Sequence, residues 1–377
     1  MNTDFFIEMV DIESTSGRER AFADFLAERM AGPGRRVETF EVETMAQDCP
    51  EGCGIPVNLM VSWGEPKVVF CTHLDTVPPY IAPSVEVMED GDMKIKGRGS
   101  CDAKGQIFAM WEACLELERR GCTDFALLLL AGEETGSFGA KAFSAMALRA
   151  VTSGDWVVIV GEPTDNHMTS ASKGTKSFEV TFKGEAFHSG YPQYGRSAVE
   201  MFNDFVNALR SIVFPKDEIL GDTTWNIGRL SSDNPQNILS ERLSCRVYFR
   251  TTFESDEMVC NVMKNMAGPD AKLRFGRRRV QDGSDIVAKE VAPWQKYMSV
   301  KAFGGDTPTV YQTLEGFPTK PVAFGSDAPQ LKCFGRKILC GPGSILVAHR
   351  DDEHVMLSDL KAAAASYVRM YTMLTGK

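Results

Sequence analysis

Residues 68–75 read Val-Val-Phe-Cys-Thr-His-Leu-Asp, a short apolar run that stops at a histidine and an aspartate. Two further apolar runs, Phe125–Ala131 and Trp156–Val160, also stop just before acidic residues. Segments with helical spacing fill the intervals, at about 104–120 and 139–149. Continuous apolar runs that alternate with helices predict an α/β fold, with a mostly parallel sheet covered by helices on both faces.

The ends of these predicted strands are the first candidates for a functional site. In open α/β sheets the ligand crevice lies at the carboxyl ends of the strands. We therefore expect the polar residues that follow the three runs to converge at that edge: His73, Glu133, Glu134 and Glu162. Any one of the acidic residues could instead begin a loop or cap a helix. These structural roles explain less well why polar residues follow all three strands.

The pattern changes near Lys176. Ser177–Lys183 alternates like a half-buried strand. The residues that follow predict a helix, two strands, a helix and a strand, at about 196–213, 224–230, 243–251, 254–266 and 271–280. This order is typical of a ferredoxin-like α+β unit. We therefore predict two domains, one formed by 1–175 and 286–377 and one inserted into it at 176–285.

Two serines are predicted to cap helices. Ser16 precedes an apolar helical pattern and has Glu19 three residues later, which is the spacing of a capping box. Ser358 opens an amphipathic C-terminal segment, 358–375, at the position where an N-cap is expected.

Composition limits the partners and the compartment. The chain has 377 residues, with 41 Lys and Arg against 51 Asp and Glu, and its formal charge is −10. An acidic balance without a basic block argues against nucleic acid or an anionic membrane as the main partner. No apolar run is long enough to span a bilayer, and Met1–Asp4 does not open a signal-peptide pattern. Ten scattered cysteines then favour free thiols and a cytoplasmic location.

The candidate residues suit metal chemistry. Imidazole and carboxylate are ligands for borderline divalent ions such as Zn²⁺ and Co²⁺. In His73-x-Asp75, the carboxylate of Asp75 could accept the second ring N–H of the histidine and fix its tautomer. Asp102 lies in a glycine-rich turn, and Glu133-Glu134 places two carboxylates side by side, which repel unless a cation neutralises one of them. Each feature alone also has an ordinary structural explanation, such as a surface pair or a helix-capping loop.

Five motifs taken together resemble a known family. They are THLDTVP at 72–78, GRGSCDAKG at 97–105, Glu133-Glu134-x-Gly136, GEPT at 161–164 and AHRDDEHV at 348–355. In this order, over nearly the whole chain, they are similar to the dinuclear-zinc amidohydrolases, the family of acetylornithine deacetylase, succinyl-diaminopimelate desuccinylase and carboxypeptidase G. The resemblance implies two divalent metal ions, Zn²⁺ or alternatively Co²⁺.

The resemblance also implies a role for each residue. Asp102 bridges the two metals, Glu134 and His349 complete one site, and His73 and Glu162 complete the other. Glu133 is the general base that takes a proton from water, and Asp75 supports His73. A cis peptide bond is implied between Asp102 and Ala103.

A second set of implied roles falls in the predicted insertion. Residues 187–192, Phe-His-Ser-Gly-Tyr-Pro, resemble a lid motif in which the histidine, here His188, polarises the scissile carbonyl, often in the partner subunit's active site. The resemblance therefore implies a catalytic metal-binding domain at 1–175 and 286–377, and a lid and dimerisation domain at 176–285 through which a homodimer forms. Asn237 and Arg250 resemble lid residues that meet substrate. Asp327, outside the insertion, belongs to a candidate substrate loop.

These observations predict an enzyme that hydrolyses the amide bond of an N-acyl-L-amino acid. Gly161–Thr164 followed by Lys173-Gly174 is similar to acetylornithine deacetylase, and N-acetylcitrulline or an N-succinyl amino acid would be related substrates. The alternative is a dipeptidase or carboxypeptidase with the same dinuclear centre. The sequence contains no G-x-S-x-G, G-x-G-x-x-G or GK[ST] string, which argues against a serine hydrolase and a nucleotide-binding enzyme.

Overall fold

The computed structural model describes residues 1–47, 49–150, 156–281 and 284–377. Within these ranges the helices are α1 (Thr3–Asp11), α2 (Arg20–Met30), α3 (Lys104–Arg119), α4 (Glu133–Gly136), α5 (Phe138–Ala150), α6 (Ala198–Arg210), α7 (Asp256–Met266) and α8 (Leu357–Thr375). The strands are β1 (Arg36–Glu41), β2 (Val57–Gly64), β3 (Val68–His73), β4 (Ser84–Val87), β5 (Met93–Lys96), β6 (Asp124–Leu130), β7 (Val157–Val160), β8 (Met168–Ser172), β9 (Gly174–Lys183), β10 (Thr224–Ser231), β11 (Arg242–Thr251), β12 (Phe275–Gln281), β13 (Ser284–Glu290), β14 (Met298–Ala302), β15 (Thr309–Val310), β16 (Thr319–Val322), β17 (Arg336–Leu339) and β18 (His354–Met356). No helix in this part of the chain combines the length and the apolar character needed to cross a bilayer.

The first of two compact units comprises Met1–Ser170, Val310–Val322 and Ser326–Lys377. Its main sheet has six strands in the order β1-β2-β6-β3-β7-β17. The last four of these strands are parallel, and β1 and β2 are antiparallel to their neighbours. Strands β3, β6 and β7 are buried along their whole length, which explains why their sequences are apolar without alternation. The predicted mostly parallel α/β sheet is confirmed.

Helices α1, α3 and α8 pack together beside this sheet. Helix α3 contacts β3 and β6, and also contacts α1 and α8. Aromatic side chains join the layers: the Phe6 and Phe108 rings are stacked 4.9 Å apart, and the Phe70 and Tyr367 rings meet edge to face at 5.8 Å. The core of this unit is therefore built from helix faces that bury large apolar side chains against central strands.

Both predicted serine caps are wrong. Helix α2 begins at Arg20, and the Ser16 hydroxyl instead donates a hydrogen bond to Asp75 Oδ2, at 2.7 Å. Helix α8 begins at Leu357, and Ser358 lies inside it, where its hydroxyl and its backbone N–H both donate to Asp92. In each case a carboxylate from a distant loop replaces the local contact, which a pattern of neighbouring residues does not reveal.

The second unit comprises Ala171–Thr309 and Ala323–Gly325. Its four-stranded antiparallel sheet has the order β10-β11-β9-β14, and α6 and α7 pack against β9 and β11. This is the ferredoxin-like arrangement of strands and helices. The insertion predicted at 176–285 lies inside this unit, which continues through β14.

The fourth strand of this sheet differs from the prediction. We expected 271–280 to fill that place, but β12 pairs with β13 in a separate hairpin, and β14 lies beside β9. A strand that packs against helices needs apolar side chains on alternate positions. The run Arg277–Arg279 offers none, whereas Met298 and Val300 lie opposite the buried Phe182 and Val180.

An ion pair between Arg35 and Glu118 joins the residue before β1 to the end of α3. Arg35 donates through Nε and Nη2 to the two carboxylate oxygens, at 2.8 and 2.5 Å. Its guanidinium lies 5.0 Å from the ring of Trp111 and 5.7 Å from that of Trp63. Trp63 Nε1 donates to the same carboxylate, at 2.8 Å, and together these contacts hold the pKa of Glu118 below its usual range.

We expect Arg35→Lys to lower the free energy of unfolding by about 1–2 kcal/mol, because lysine cannot make the two-pronged contact or stack on the indole rings. Urea unfolding followed by tryptophan fluorescence measures the change. Arg36→Lys is the matched control, since Arg36 pairs with Glu38 from a side chain that is 74% exposed and should change stability by less than about 0.5 kcal/mol. Equal effects of the two substitutions would contradict this account.

Candidate metal centre

The candidate ligands lie at one edge of the six-stranded sheet. His73 ends β3 and is paired with Leu130 at the end of β6, so Glu133 and Glu134 follow at the same level. Cys71 of β3 is paired with Val160, the last residue of β7, which brings the loop carrying Glu162 to that edge. The in-register ends of these parallel strands therefore bring together residues that are far apart in sequence.

Asp102 lies between two imidazoles. Its Oδ1 is 3.1 Å from His73 Nε2, and its Oδ2 is 3.3 Å from His349 Nε2. Glu134 Oε1 is 2.9 Å from the same His349 nitrogen. One carboxylate with each oxygen directed at a different histidine has the arrangement of a ligand that bridges two ions. The peptide bond between Asp102 and Ala103 is cis, as the resemblance implies.

Donor atoms in this cluster form three groups, each within 4.8 Å. One group is His73, Asp102 and Glu162, a second is Asp102, Glu134 and His349, and a third is His73, Glu133 and Glu134. The first two share Asp102, as expected for two neighbouring ions. Glu133 belongs to neither of those two, although it is adjacent to both.

The electrostatics of the cluster favour bound cations. Burial raises the pKa of Glu133, Glu134 and Glu162, and repulsion between neighbouring carboxylates adds to that effect. Hydrogen bonds to Asp102 and Glu134 raise the pKa of His349 to about 10. The raised pKa values mean that these groups hold protons more readily, which reduces the negative charge of the cluster. Divalent ions could take the place of those protons.

The donor set fits two ions such as Zn²⁺ or Co²⁺, because imidazoles and carboxylates are their usual ligands. Three ligand carboxylates and two neutral imidazoles would leave two divalent ions with a net charge of about +1. That charge suits an anionic substrate or an anionic transition state.

Asp75 contacts both His73 and the segment that carries the two glutamates. His73 Nδ1 lies 2.9 Å from the main-chain oxygen of Asp75 and 3.5 Å from its carboxylate. The fully buried carboxylate also accepts hydrogen bonds from the backbone N–H groups of Glu133 and Glu134, at 3.0 and 3.2 Å, and from Ser16. Asp75 therefore fixes the start of α4, where the two glutamates are placed.

His349 has an unusual backbone conformation. Its φ is +63°, in the left-handed region that non-glycine residues rarely adopt, and its side chain is 47% exposed. Such strain is maintained only where surrounding contacts enforce it, and it is common at functional sites.

The remaining candidate residues fall into two groups. Asp327 is buried in the first unit, and its charge contributes to the raised pKa values of Glu133 and Glu162. His188, Asn237 and Arg250 belong to the second unit. There, His188 forms an isolated bridge with Ile238, and Ser189 N donates to the Asn237 carbonyl, so these two candidate loops are paired.

Sequence reasoning missed two charged residues next to the cluster. Arg98 and Glu353 lie within the quoted motifs at 97–105 and 348–355, but neither was given a role. Both side chains are buried and form an ion pair. One signal in the sequence could have identified them: each of these two motifs contains a metal-ligand candidate, and Arg98 and Glu353 are charged residues of opposite sign, one in each motif.

Comparisons with known proteins agree with this description. Residues 69–372 match the sequence profile of peptidase family M20/M25/M40. An M20 peptidase domain-containing protein of Schizosaccharomyces pombe is 34% identical, over 96% of this chain and 82% of its own. A probable carboxypeptidase of Aspergillus terreus is 32% identical, over 97% of this chain and 84% of its own.

The fold has counterparts among solved structures. A tripeptidase from Staphylococcus aureus superposes with a TM-score of 0.75 at 18% identity, covering 100% of this chain and 98% of that one. The α/β fold with a second α+β unit is thus confirmed, while the relatives' names point to peptidases rather than to acetylornithine deacetylase. The profile match over most of the chain, the curated relatives and the cluster of metal-ligand residues lead to one conclusion: the chain belongs to peptidase family M20/M25/M40.

Proposed function

We propose that the protein is a metal-dependent carboxypeptidase or dipeptidase, which hydrolyses the amide bond next to a residue with a free α-carboxylate. Membership of the peptidase family and the carboxypeptidase names of several relatives support the reaction type.

The relatives' names carry the choice of substrate, because several of these relatives are named as probable carboxypeptidases. Arg250 of the second unit is the residue proposed to bind the substrate carboxylate, since a guanidinium matches a carboxylate geometrically.

The metal ligands divide between two ions. His73, Asp102 and Glu162 would hold one, and Asp102, Glu134 and His349 the other. Two such ions, when bound, lower the pKa of water and polarise the scissile carbonyl.

Glu133 is the proposed proton carrier. Its carboxylate lies within 4.8 Å of the ligand atoms of His73 and Glu134, and its backbone N–H is held by Asp75. From this position it takes a proton from the attacking water and delivers it to the leaving amine, which is general base and then general acid catalysis. Because Asp75 also holds Glu134, the proton carrier and its metal-binding neighbour share one support.

An N-acyl-L-amino acid deacylase, the activity predicted from sequence, is the second candidate. Gly161–Thr164 and Lys173-Gly174 favour it through their resemblance to acetylornithine deacetylase. An N-acyl amino acid has the same amide and carboxylate as a peptide C-terminus, so the same site chemistry applies, and the two candidates differ in the group on the acyl side.

A substrate panel separates these candidates. With added Zn²⁺ or Co²⁺, we expect hydrolysis of free dipeptides or N-blocked dipeptides, and weaker hydrolysis of N-acetyl- and N-succinyl-amino acids. C-terminally amidated versions of the same peptides should lose at least about tenfold in kcat/KM, because the carboxylate contact is absent. A preference for N-acetyl- or N-succinyl-amino acids over every peptide would favour the deacylase, and equal rates on amidated peptides would refute carboxylate recognition.

The adjacent glutamates provide a matched pair of variants. We expect Glu133→Ala to lose more than about 100-fold in kcat while it keeps both metals, because only the proton carrier is removed. Glu134→Ala should lose metal, because a ligand is removed. Elemental analysis of the two purified variants measures this contrast, and equal metal content in both would contradict the assigned roles.

We further propose a homodimer in which His188 of one copy acts with the metal centre of the other. Co-expression of Glu133→Ala with His188→Ala tests this, because in a mixed dimer one site combines an intact metal centre with an intact histidine. Random assembly makes about half of the dimers mixed, so about a quarter of the wild-type activity should return. Verified mixed dimers without recovered activity would show that His188 does not act between copies.

A further inference from the structure

The carboxylate of Glu353 collects hydrogen-bond donors from the loop that carries Asp102. Its Oε1 accepts from the backbone N–H groups of Gly99, Cys101 and Asp102, at 2.9, 3.1 and 3.0 Å. Its Oε2 accepts from Arg98 Nη1, at 2.5 Å. The Glu353 side chain is 0% exposed, so water does not compete for these contacts.

The Arg98 guanidinium is fixed as firmly as its partner. Nε donates to the Pro79 carbonyl at 3.1 Å, and Nη1 also donates to the Arg350 carbonyl at 3.2 Å. Arg98 thereby links the loop before the β4–β5 hairpin to the segment that follows His349. A buried ion pair of this kind is costly to desolvate and adds little to stability compared with apolar packing, so its presence beside the metal cluster suggests another role.

The contacts of Glu353 continue the hydrogen-bond ladder between β5 and β18. Strand β18 is antiparallel to β5, and the ladder ends where Gly97 N donates to the Glu353 carbonyl at 3.1 Å. Beyond that point the backbone of 99–102 turns, and the Glu353 side chain takes up its N–H groups. The segment at 97–102 carries Asp102, and the segment at 349–353 carries His349. The contacts of Glu353 therefore join the segment of the ligand shared by both metal sites to the segment of His349.

We propose that Glu353 and Arg98 are positioning residues that set the direction of the Asp102 carboxylate and hence the affinity and geometry of both metal sites. Neither belongs to the two ligand groups that share Asp102. The Asp102 backbone N–H is tied to Glu353, and each Asp102 oxygen faces one histidine, so a small rotation of the loop would remove one oxygen from its site. This inference rests on the proposed metal centre but not on the identity of the substrate.

Metal affinity without substrate tests the proposal. Glu353→Gln keeps the shape of the side chain but removes the charge that faces Arg98, and Arg98→Met removes the other partner. We expect each variant to bind Zn²⁺ about 10- to 100-fold more weakly than wild type in competition with a chromophoric chelator. In Co²⁺-loaded protein, the visible absorption bands should shift, because the ligand geometry at Asp102 changes.

Asp352→Asn is the matched control. It removes the carboxylate of the residue next to Glu353. Asp352 pairs with Arg350, and both side chains are more than 60% exposed. This variant should bind Zn²⁺ within twofold of wild type and keep the Co²⁺ spectrum. A double variant, Arg98→Met with Glu353→Gln, should lose no more affinity than the worse single variant, because the pair acts as one unit.

The outcomes separate the proposals. Circular dichroism of the metal-free proteins identifies variants that fold, and if Glu353→Gln does not, Arg98→Lys replaces it and should show a smaller but measurable loss. Folded variants with wild-type Zn²⁺ affinity and an unchanged Co²⁺ spectrum would overturn the positioning role alone. Wild-type protein that binds neither metal would overturn the proposed metal centre, and the positioning role with it.

Discussion

Repulsion among four carboxylates is the constraint on which the rest of the structure depends. Asp102, Glu133, Glu134 and Glu162 meet at one sheet edge, where burial and their neighbours' charges both disfavour ionisation of the three glutamates. Such a cluster is unfavourable in a protein that does not bind cations. The fold therefore has to hold the acids in place by contacts that do not neutralise them.

Backbone N–H groups supply those contacts. Asp75 and Glu353 are both buried, and each accepts hydrogen bonds from the main chain of a segment that carries acidic residues of the cluster. A carboxylate satisfied by backbone donors can remain buried, and it fixes the main chain without becoming a metal ligand itself. The same device is thus used on both sides of the cluster, at the start of α4 and in the loop before α3.

Much of this arrangement could be predicted from sequence because it depends on local patterns. Apolar runs that end in His or Glu indicate buried parallel strands and the edge where their ends meet, and the structure places His73, Glu133, Glu134 and Glu162 there. The other features depend on contacts between distant residues. The Ser16 hydroxyl binds Asp75, 59 positions away, and Glu353 binds the backbone of a loop about 250 positions away. No periodicity records such pairs. The fourth strand of the second unit is a different case, because the local sequence does distinguish the two segments: Arg277–Arg279 lacks the apolar alternation that Met298 and Val300 provide in β14.

The order of the ligands along the chain has a consequence for biosynthesis. His73, Asp102, Glu134 and Glu162 are made before the second unit begins at Ala171, whereas His349 and Glu353 are made after Thr309. Translation from Glu162 to His349 covers 187 residues (349 − 162), which takes roughly 10–40 s at ribosomal rates. Throughout that interval the nascent chain has four carboxylates and one imidazole, without the second imidazole or the Glu353 support. The continuous segment of the second unit, Ala171–Thr309, is made within that interval. The set of candidate ligands is therefore complete only once His349 has been made, long after the other four.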